Sequence, residues 1–207
     1  MNILLPCCKK KCLTPARGLD IQGYDKIPQK DLQWQWLKAL NQTTGFVPAR
    51  ALYTGKLYAT LADVLPKFPL FIYSGGLGLV HQDTLVPGYE LSLDTPAKTR
   101  GGMSSVRRYI QGRFQLVEWW GAITNGPFSG PIPKGPTTMV IPSSYVEVAN
   151  IILSEMDPRD VRLVAHPYCH RDILTSHQGC ILTIPGHANF PRRLGPALGL
   201  RAALQTP

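Results

Sequence analysis

The fold of this chain is decided by residues 137–165, TTMVIPSSYVEVANIILSEMDPRDVRLVA. Two short runs rich in β-branched residues, Thr137 to Ile141 and Val161 to Ala165, flank a stretch with helical periodicity from Tyr145 to Met156. This order predicts a β-α-β unit, because parallel neighbours in a sheet need a long crossover connection that is usually a helix.

The same alternation of strands and helices extends toward the N-terminus. Apolar runs at Asn2 to Pro6 and Phe68 to Tyr73 predict two more strands, each followed by a polar or glycine-rich loop. Apolar residues at helical spacing predict helices over Lys30 to Asn41 and over Ala49 to Leu65. We therefore predict a single α/β domain over residues 1–207, with an open, mostly parallel twisted sheet and helices on both faces.

Two segments depart from this regular pattern. Residues 95–136 are rich in Gly, Pro, Arg and Ser, and predict an irregular basic and aromatic insertion, which in a compact domain is usually functional or mobile. Near the C-terminus, a short helix is predicted after Gly195. Side chains that suit base stacking and phosphate contact give the predicted DNA-binding set: Arg107, Arg108, Arg113, Trp119, Trp120, Arg171, Arg192 and Arg193. The alternative for the two tryptophans is that both belong to the core.

The chain is strongly basic. It has 22 Lys and Arg against 13 Asp and Glu, a formal charge of +9 and a pI of about 9.5. This balance favours anionic partners, with nucleic acid as the first candidate, although many basic proteins bind polyanions only nonspecifically.

The number and spacing of the cysteines and the length of the apolar runs indicate the cellular compartment of the protein. No run approaches the roughly 20 apolar residues of a membrane span, and the N-terminus lacks a signal-peptide pattern. The five cysteines are an odd number, with three of them at Cys7, Cys8 and Cys12, which disfavours a disulfide framework. No Cys-x-x-Cys pair occurs, so we predict reduced thiols, no bound metal and a cytoplasmic protein that does not contact a membrane.

The loop after the first strand contains three successive lysines. At a strand's carboxyl end, lysine ammonium groups and backbone N–H groups can together cradle a phosphate, whereas an isolated lysine run is more often a solvated turn. We predict that the following residues of this loop contact the substrate: Pro6, Cys7, Lys9, Lys10 and Lys11.

A glycine-rich stretch follows the Phe68 to Tyr73 run. Its spacing matches neither a Walker loop nor a dinucleotide fingerprint, so neither ATP nor NAD is predicted as a cofactor. Its predicted substrate contacts are Ser74, Gly75, Gly78 and Tyr89. Asp83 and Glu90 are candidates for a base or water-positioning carboxylate, although an acidic loop residue is more often a turn former or cap.

A third loop begins at His166, at the end of the Val161 to Ala165 strand. This histidine could stabilise a developing anion or shuttle a proton, and Tyr168 could stack on a substrate base. Structural histidines are the commoner case.

Three segments resemble the YaaA-like peroxide-stress family. They are Pro6-Cys7-Cys8-Lys9-Lys10-Lys11, then Pro48-Ala49-Arg50-Ala51-Leu52-Tyr53-Thr54-Gly55, then Tyr73-Ser74-Gly75-Gly76-Leu77-Gly78-Leu79-Val80 through Asp83, Pro87, Tyr89 and Leu93. The likeness spans roughly the first 95 residues. It implies DNA binding and a role in protecting DNA.

The layout as a whole is similar to the uracil-DNA-glycosylase-like superfamily, in which a strand-terminal His-Pro motif lies near the flipped base. Here that motif would be His166-Pro167. The Pro-Cys-x-x-Lys start also looks like archaeosine-type tRNA base-modifying enzymes. The first loop lacks the water-activating Asp of the uracil enzymes, so any catalytic carboxylate must come from elsewhere, and Asp83 is the candidate.

Together these observations predict a DNA glycosylase-like hydrolase. By analogy with that superfamily, it would flip a base, expected to be a modified one, out of double- or single-stranded DNA and cleave its N-glycosidic bond to leave an abasic site, in antiviral defence or DNA repair. Asp83 and His166 are the predicted catalytic residues, and no cofactor is predicted. The alternatives are a noncatalytic DNA-binding stress protein of the YaaA kind and an RNA base-modifying enzyme.

Overall fold

A computed structural model describes residues 1–24, 29–91, 116–165, 167–182 and 195–205. The α-helices and β-strands in these ranges are, in chain order, β1 (Asn2–Pro6), α1 (Gln29–Gln42), β2 (Phe46–Pro48), α2 (Ala49–Leu52), α3 (Lys56–Thr60), β3 (Leu70–Ser74), β4 (Gly78–His81), β5 (Leu85–Pro87), α4 (Leu116–Thr124), β6 (Thr137–Ile141), α5 (Val146–Ser154), β7 (Val161–Ala165) and α6 (Gly195–Gln205).

Five strands form one sheet in the order β4-β3-β1-β6-β7. β1 pairs parallel with β6, and β6 pairs parallel with β7. Backbone bonds from Ile3 N–H to Pro69 O and from Cys7 N–H to Tyr73 O advance together along both strands, so β3 also lies parallel to β1. The predicted α/β fold with a mostly parallel sheet is confirmed, and so is the β-α-β unit of residues 137–165.

Two strands that the sequence did not reveal pair as a small ribbon. β2 and β5 are antiparallel, with Phe46 opposite Pro87 and Pro48 opposite Leu85.

β4 follows β3 after three residues, Gly75, Gly76 and Leu77, a connection short enough to join only antiparallel neighbours. The stretch that the sequence analysis treated as a loop after Ser74 therefore contains two strands.

The prediction of one helix from Ala49 to Leu65 is wrong. The chain forms α2 and α3, followed by a 3-10 turn at Leu65–Lys67. The break lies at Tyr53, whose backbone is extended, with φ −92° and ψ 113°. Tyr53 pairs with Lys11 as an isolated β-bridge, and this long-range pairing overrides the helical periodicity.

The chain divides into two compact units. The first contains Met1–Pro6, Gly55–Phe71 and Ile132–Pro207, and the second contains Cys7–Thr54 and Ile72–Pro131. In the first unit every residue of β6 is buried, and the Arg201 guanidinium on α6 donates to Thr60 O at 2.7 Å, which ties α6 to α3. In the second unit the core is aromatic; its largest buried side chains are Trp36, Trp119, Trp120, Tyr73 and Tyr89.

Candidate functional site

The loop Cys7–Lys11, here called the basic loop, lies in the second unit and is held by backbone hydrogen bonds at both ends. Cys7 N–H donates to Tyr73 O at 3.0 Å, where the loop leaves the sheet. Thr54 N–H donates to Lys10 O at 3.0 Å, and Cys12 N–H donates to Leu52 O at 2.9 Å. The basic loop is thus fixed in position while the Lys10 side chain stays exposed.

Lys11 has a different environment from Lys10. Its ammonium group donates to Lys9 O at 3.4 Å and lies 4.3 Å from the centre of the Tyr89 ring. A cation over an aromatic face is attracted by the negative potential of the ring. Lys11 therefore fastens the basic loop to Tyr89, which leaves Lys10 as the exposed cation of the three-lysine run.

Beneath Lys11, three buried hydroxyl groups form a chain. Ser74 Oγ is 2.6 Å from the Tyr89 hydroxyl, which is 3.0 Å from the Tyr53 hydroxyl. Ser74 Oγ also accepts the N–H groups of Gly76 and Leu77, each at 3.2 Å.

The direction of the bond between Ser74 and Tyr89 follows from counting lone pairs. A serine hydroxyl has two lone pairs and one proton. The two N–H groups occupy both lone pairs of Ser74, so its proton is donated to the Tyr89 hydroxyl, whose other bond is to the Tyr53 hydroxyl. Ser74 is therefore fully bonded within the described structure and holds the turn that follows it.

Both phenols of the hydroxyl chain are neutral at ordinary pH. Burial raises the pKa of Tyr53 and of Tyr89 well above the usual value, and the proximity of the Cys7 sulfur raises both further. Neutral phenols act as hydrogen-bond donors and acceptors but carry no charge to repel an anion.

The glycine turn, Ser74–Leu77, is held by two tryptophans. Trp36 Nε1 donates to Gly76 O, and Trp119 Nε1 donates to Gly75 O, both at 2.8 Å. A β-carbon on Gly76 would lie 2.8 Å from the Tyr89 ring, so only glycine lets the turn pack this closely. Of the predicted substrate contacts, the structure brings the basic loop, Ser74 and Tyr89 into one cluster. Ser74 and Tyr89 are 0% exposed, so they support the basic loop from beneath and do not contact a substrate directly.

Trp119 and Trp120 do not form the predicted DNA-stacking surface. They lie on α4, within the segment predicted to be irregular, and their side chains are 0% and 2% exposed. The alternative interpretation, that both tryptophans belong to the core, is correct. A base cannot stack on an indole that is already covered by protein on both faces.

Asp83 does not join the cluster around Ser74. It follows β4, which runs from Gly78 beside the glycine turn to His81 at the opposite end of the strand. Its carboxylate is 54% exposed and pairs with the Arg50 guanidinium at 3.1 Å. The sequence suggested one glycine-rich loop that contains both Ser74 and Asp83, but β4 separates them, so Asp83 is not a residue of this cluster.

Other predicted residues lie elsewhere in the chain. Pro6 ends β1, where its carbonyl accepts the Tyr58 hydroxyl at 2.9 Å. Gly78 has a φ of +80°, and its missing side chain leaves room for Ser129. Tyr168 and the exposed Arg171 belong to the 3-10 segment Pro167–Asp172 of the first unit. The remaining predicted residues fall outside the described ranges; these are His166, Arg107, Arg108, Arg113, Arg192 and Arg193.

Sequence reasoning missed Tyr53 and Trp36 as residues of the site. Tyr53 lies inside the Pro48 to Gly55 motif, but the helix prediction concealed its role. Trp36 counted only as one apolar position of α1. A signal that could have identified Tyr53 is the Tyr-Thr-Gly sequence at residues 53–55, which is unfavourable for a continuous helix.

No protein-family model matches this chain, and no curated protein matches it either. In the part of the chain that the structure describes, no helix is both long enough and apolar enough to cross a membrane. Within the same ranges, no three His, Cys, Asp or Glu side chains are grouped so that they could hold a metal ion. No disulfide joins any two of the five cysteines, all of which lie in the described ranges, and Cys7 and Cys169 are buried.

Proposed function

We propose that this protein binds DNA and excises a base from it, as a glycosylase-like hydrolase. The observation that supports this proposal is the cluster in which a fixed basic loop lies against a buried chain of neutral hydroxyl groups. The loop offers positive charge for phosphate, and the buried turn and hydroxyl chain beneath it give that loop a rigid support.

Excision would break the bond between the sugar C1′ and the base nitrogen. The electron pair leaves with the base, water supplies a hydroxyl group to C1′, and a proton neutralises the departing base. Lysine ammonium groups beside the base would stabilise its developing negative charge. His166 keeps its proposed role of stabilising charge on the departing base, whereas the position of Asp83 gives no support for its proposed role with the water.

A second candidate is a DNA-binding protein without catalysis. It is favoured by the position of Asp83, since the carboxylate first expected to position water is exposed and engaged by Arg50. The basic loop would then serve only to grip phosphate groups. DNA binding is common to both candidates, and only the first predicts a chemical product.

Alkali treatment of DNA after incubation distinguishes the two candidates, because alkali breaks a strand at an abasic site. Oligonucleotides that each carry one modified base, and an unmodified oligonucleotide of the same sequence, are incubated with the protein and then treated. We expect a break at the modified position in at least one substrate, and none without alkali. Binding without any alkali-sensitive site would reject excision and support the second candidate; absence of binding would reject both.

The basic loop gives a prediction about salt dependence. Lys10→Ala should weaken binding similarly across DNA sequences and lower the slope of log affinity against log salt by about 1, as expected for one lost phosphate contact. Fluorescence anisotropy over a salt series measures both quantities. Lys67→Ala removes the same charge from an exposed position of the first unit and is the matched control. If Lys67→Ala lowers the slope as much, the charge of the whole protein, and not this loop, accounts for binding.

A further inference from the structure

Two tryptophans of α1, Trp34 and Trp36, have opposite environments. Two residues along a helix correspond to a rotation of about 200°, so one side chain points inward when the other points outward. Trp36 is fully buried, whereas Trp34 is 61% exposed. Of the four tryptophans in the chain, Trp34 is thus the one whose ring is available to a partner.

Lys38 accompanies Trp34 on the outer surface of α1. Its position one helical turn later puts the Lys38 ammonium group 4.9 Å from the centre of the Trp34 ring. The pair combines a broad apolar face with a positive charge, and its lysine side chain is exposed.

We propose that Trp34 and Lys38, here called the Trp34 platform, bind an unpaired base and its phosphate in single-stranded DNA. The base would stack on the indole and Lys38 would contact the neighbouring phosphate. Indole rings stack on any base, and a nearby cation can pair with the negative phosphate group that adjoins each base along a strand. This inference rests on the proposed DNA-binding function.

Two observations favour a nucleic acid over an apolar protein surface as the partner. An apolar partner would have to desolvate the Lys38 ammonium group beside the ring, which is costly without a counter-charge. The chain also carries a net charge of +9, which attracts a polyanion and not a neutral surface. The same helix holds the glycine turn through Trp36, so the platform is part of a rigid scaffold of the second unit.

The platform is tested with three labelled oligonucleotides: a short single strand, its duplex, and a single strand of the same length in which abasic sites replace the bases. Trp34→Ala should weaken binding to the normal single strand about tenfold. It should leave binding to the duplex and to the abasic strand unchanged, since neither presents an unpaired base. Trp34→Phe, which keeps an aromatic face, should restore most of the affinity.

Tryptophan fluorescence provides an independent measurement. The normal single strand should quench the emission of the wild-type protein, and Trp34→Phe should abolish that quenching, because the other three tryptophans are buried. Equal affinity of Trp34→Ala and wild type for the normal strand would overturn the platform while leaving the proposed function intact, and would direct attention to a protein partner for this face. An equal loss on the abasic strand would also overturn it. If the wild-type protein binds none of the three oligonucleotides, the proposed DNA-binding function fails as well.

Discussion

Gly88→Ala is expected to lower the free energy of unfolding by about 3 to 5 kcal/mol. A β-carbon at this position would lie 2.1 Å from Thr14 O and 2.8 Å from the Leu13 β-carbon. Neither atom can move easily, because Ala16 N–H donates to Gly88 O at 2.9 Å and holds the two segments together. The substitution must therefore push the backbone apart beside Tyr89. Urea denaturation followed by circular dichroism measures the change.

Gly121→Ala is the matched control for this effect. Gly121 lies within α4, and a β-carbon there would meet nothing within 4 Å. Alanine favours the helix, so this substitution should raise stability by about 0.5 to 1 kcal/mol. Equal urea midpoints for the two alanine variants would show that the close contact of Gly88 with Thr14 does not limit stability.

Ser74→Ala is expected to cost about 2 to 4 kcal/mol of stability. It removes the acceptor of the Gly76 and Leu77 N–H groups and the donor to the Tyr89 hydroxyl. All of these groups are buried, so water cannot replace the lost oxygen without opening the turn. Under the proposed function, the variant should also lose excision activity more than it loses DNA affinity, since the basic loop keeps its own backbone anchors.

Ser129→Ala provides the comparison for Ser74→Ala. Ser129 Oγ accepts the Leu79 N–H at 3.0 Å in a partly buried position. Its loss should cost about 1 kcal/mol, the usual net value of one hydrogen bond. If Ser74→Ala proves no more destabilising than Ser129→Ala, the three buried bonds of Ser74 do not act together as the geometry indicates.

Elements with strong local patterns were predicted nearly to the residue. Asn2–Pro6, Thr137–Ile141 and Val161–Ala165 are strands with the bounds expected from their apolar and β-branched runs. The helix predicted over Lys30 to Asn41 is observed as Gln29–Gln42. In each case the local preference and the burial required by the sheet agree, so short windows of sequence suffice.

The candidate site was predicted only in part, because its geometry depends on contacts between distant segments. The lysines, Ser74 and Tyr89 were identified from their positions in loops after strands. Tyr53 was not, since its extended backbone is imposed by Lys11, far away in the chain. The tryptophans of α4 were misplaced for a related reason: their burial, and the bond from Trp119 Nε1 to Gly75 O, cannot be found from local periodicity.

The glycine turn has a consequence for the thermodynamics of ligand binding. Glycine-rich loops usually lose much conformational entropy when they close on a ligand. In this turn two indole N–H groups hold the carbonyl groups of Gly75 and Gly76, and Ser74 Oγ holds two of its N–H groups. The turn is therefore already ordered in the folded protein, and ligand binding does not lower its conformational entropy further. A ligand that binds the basic loop above this buried turn therefore meets a support that is already ordered, and its association needs no rearrangement of the turn as a separate, slower step.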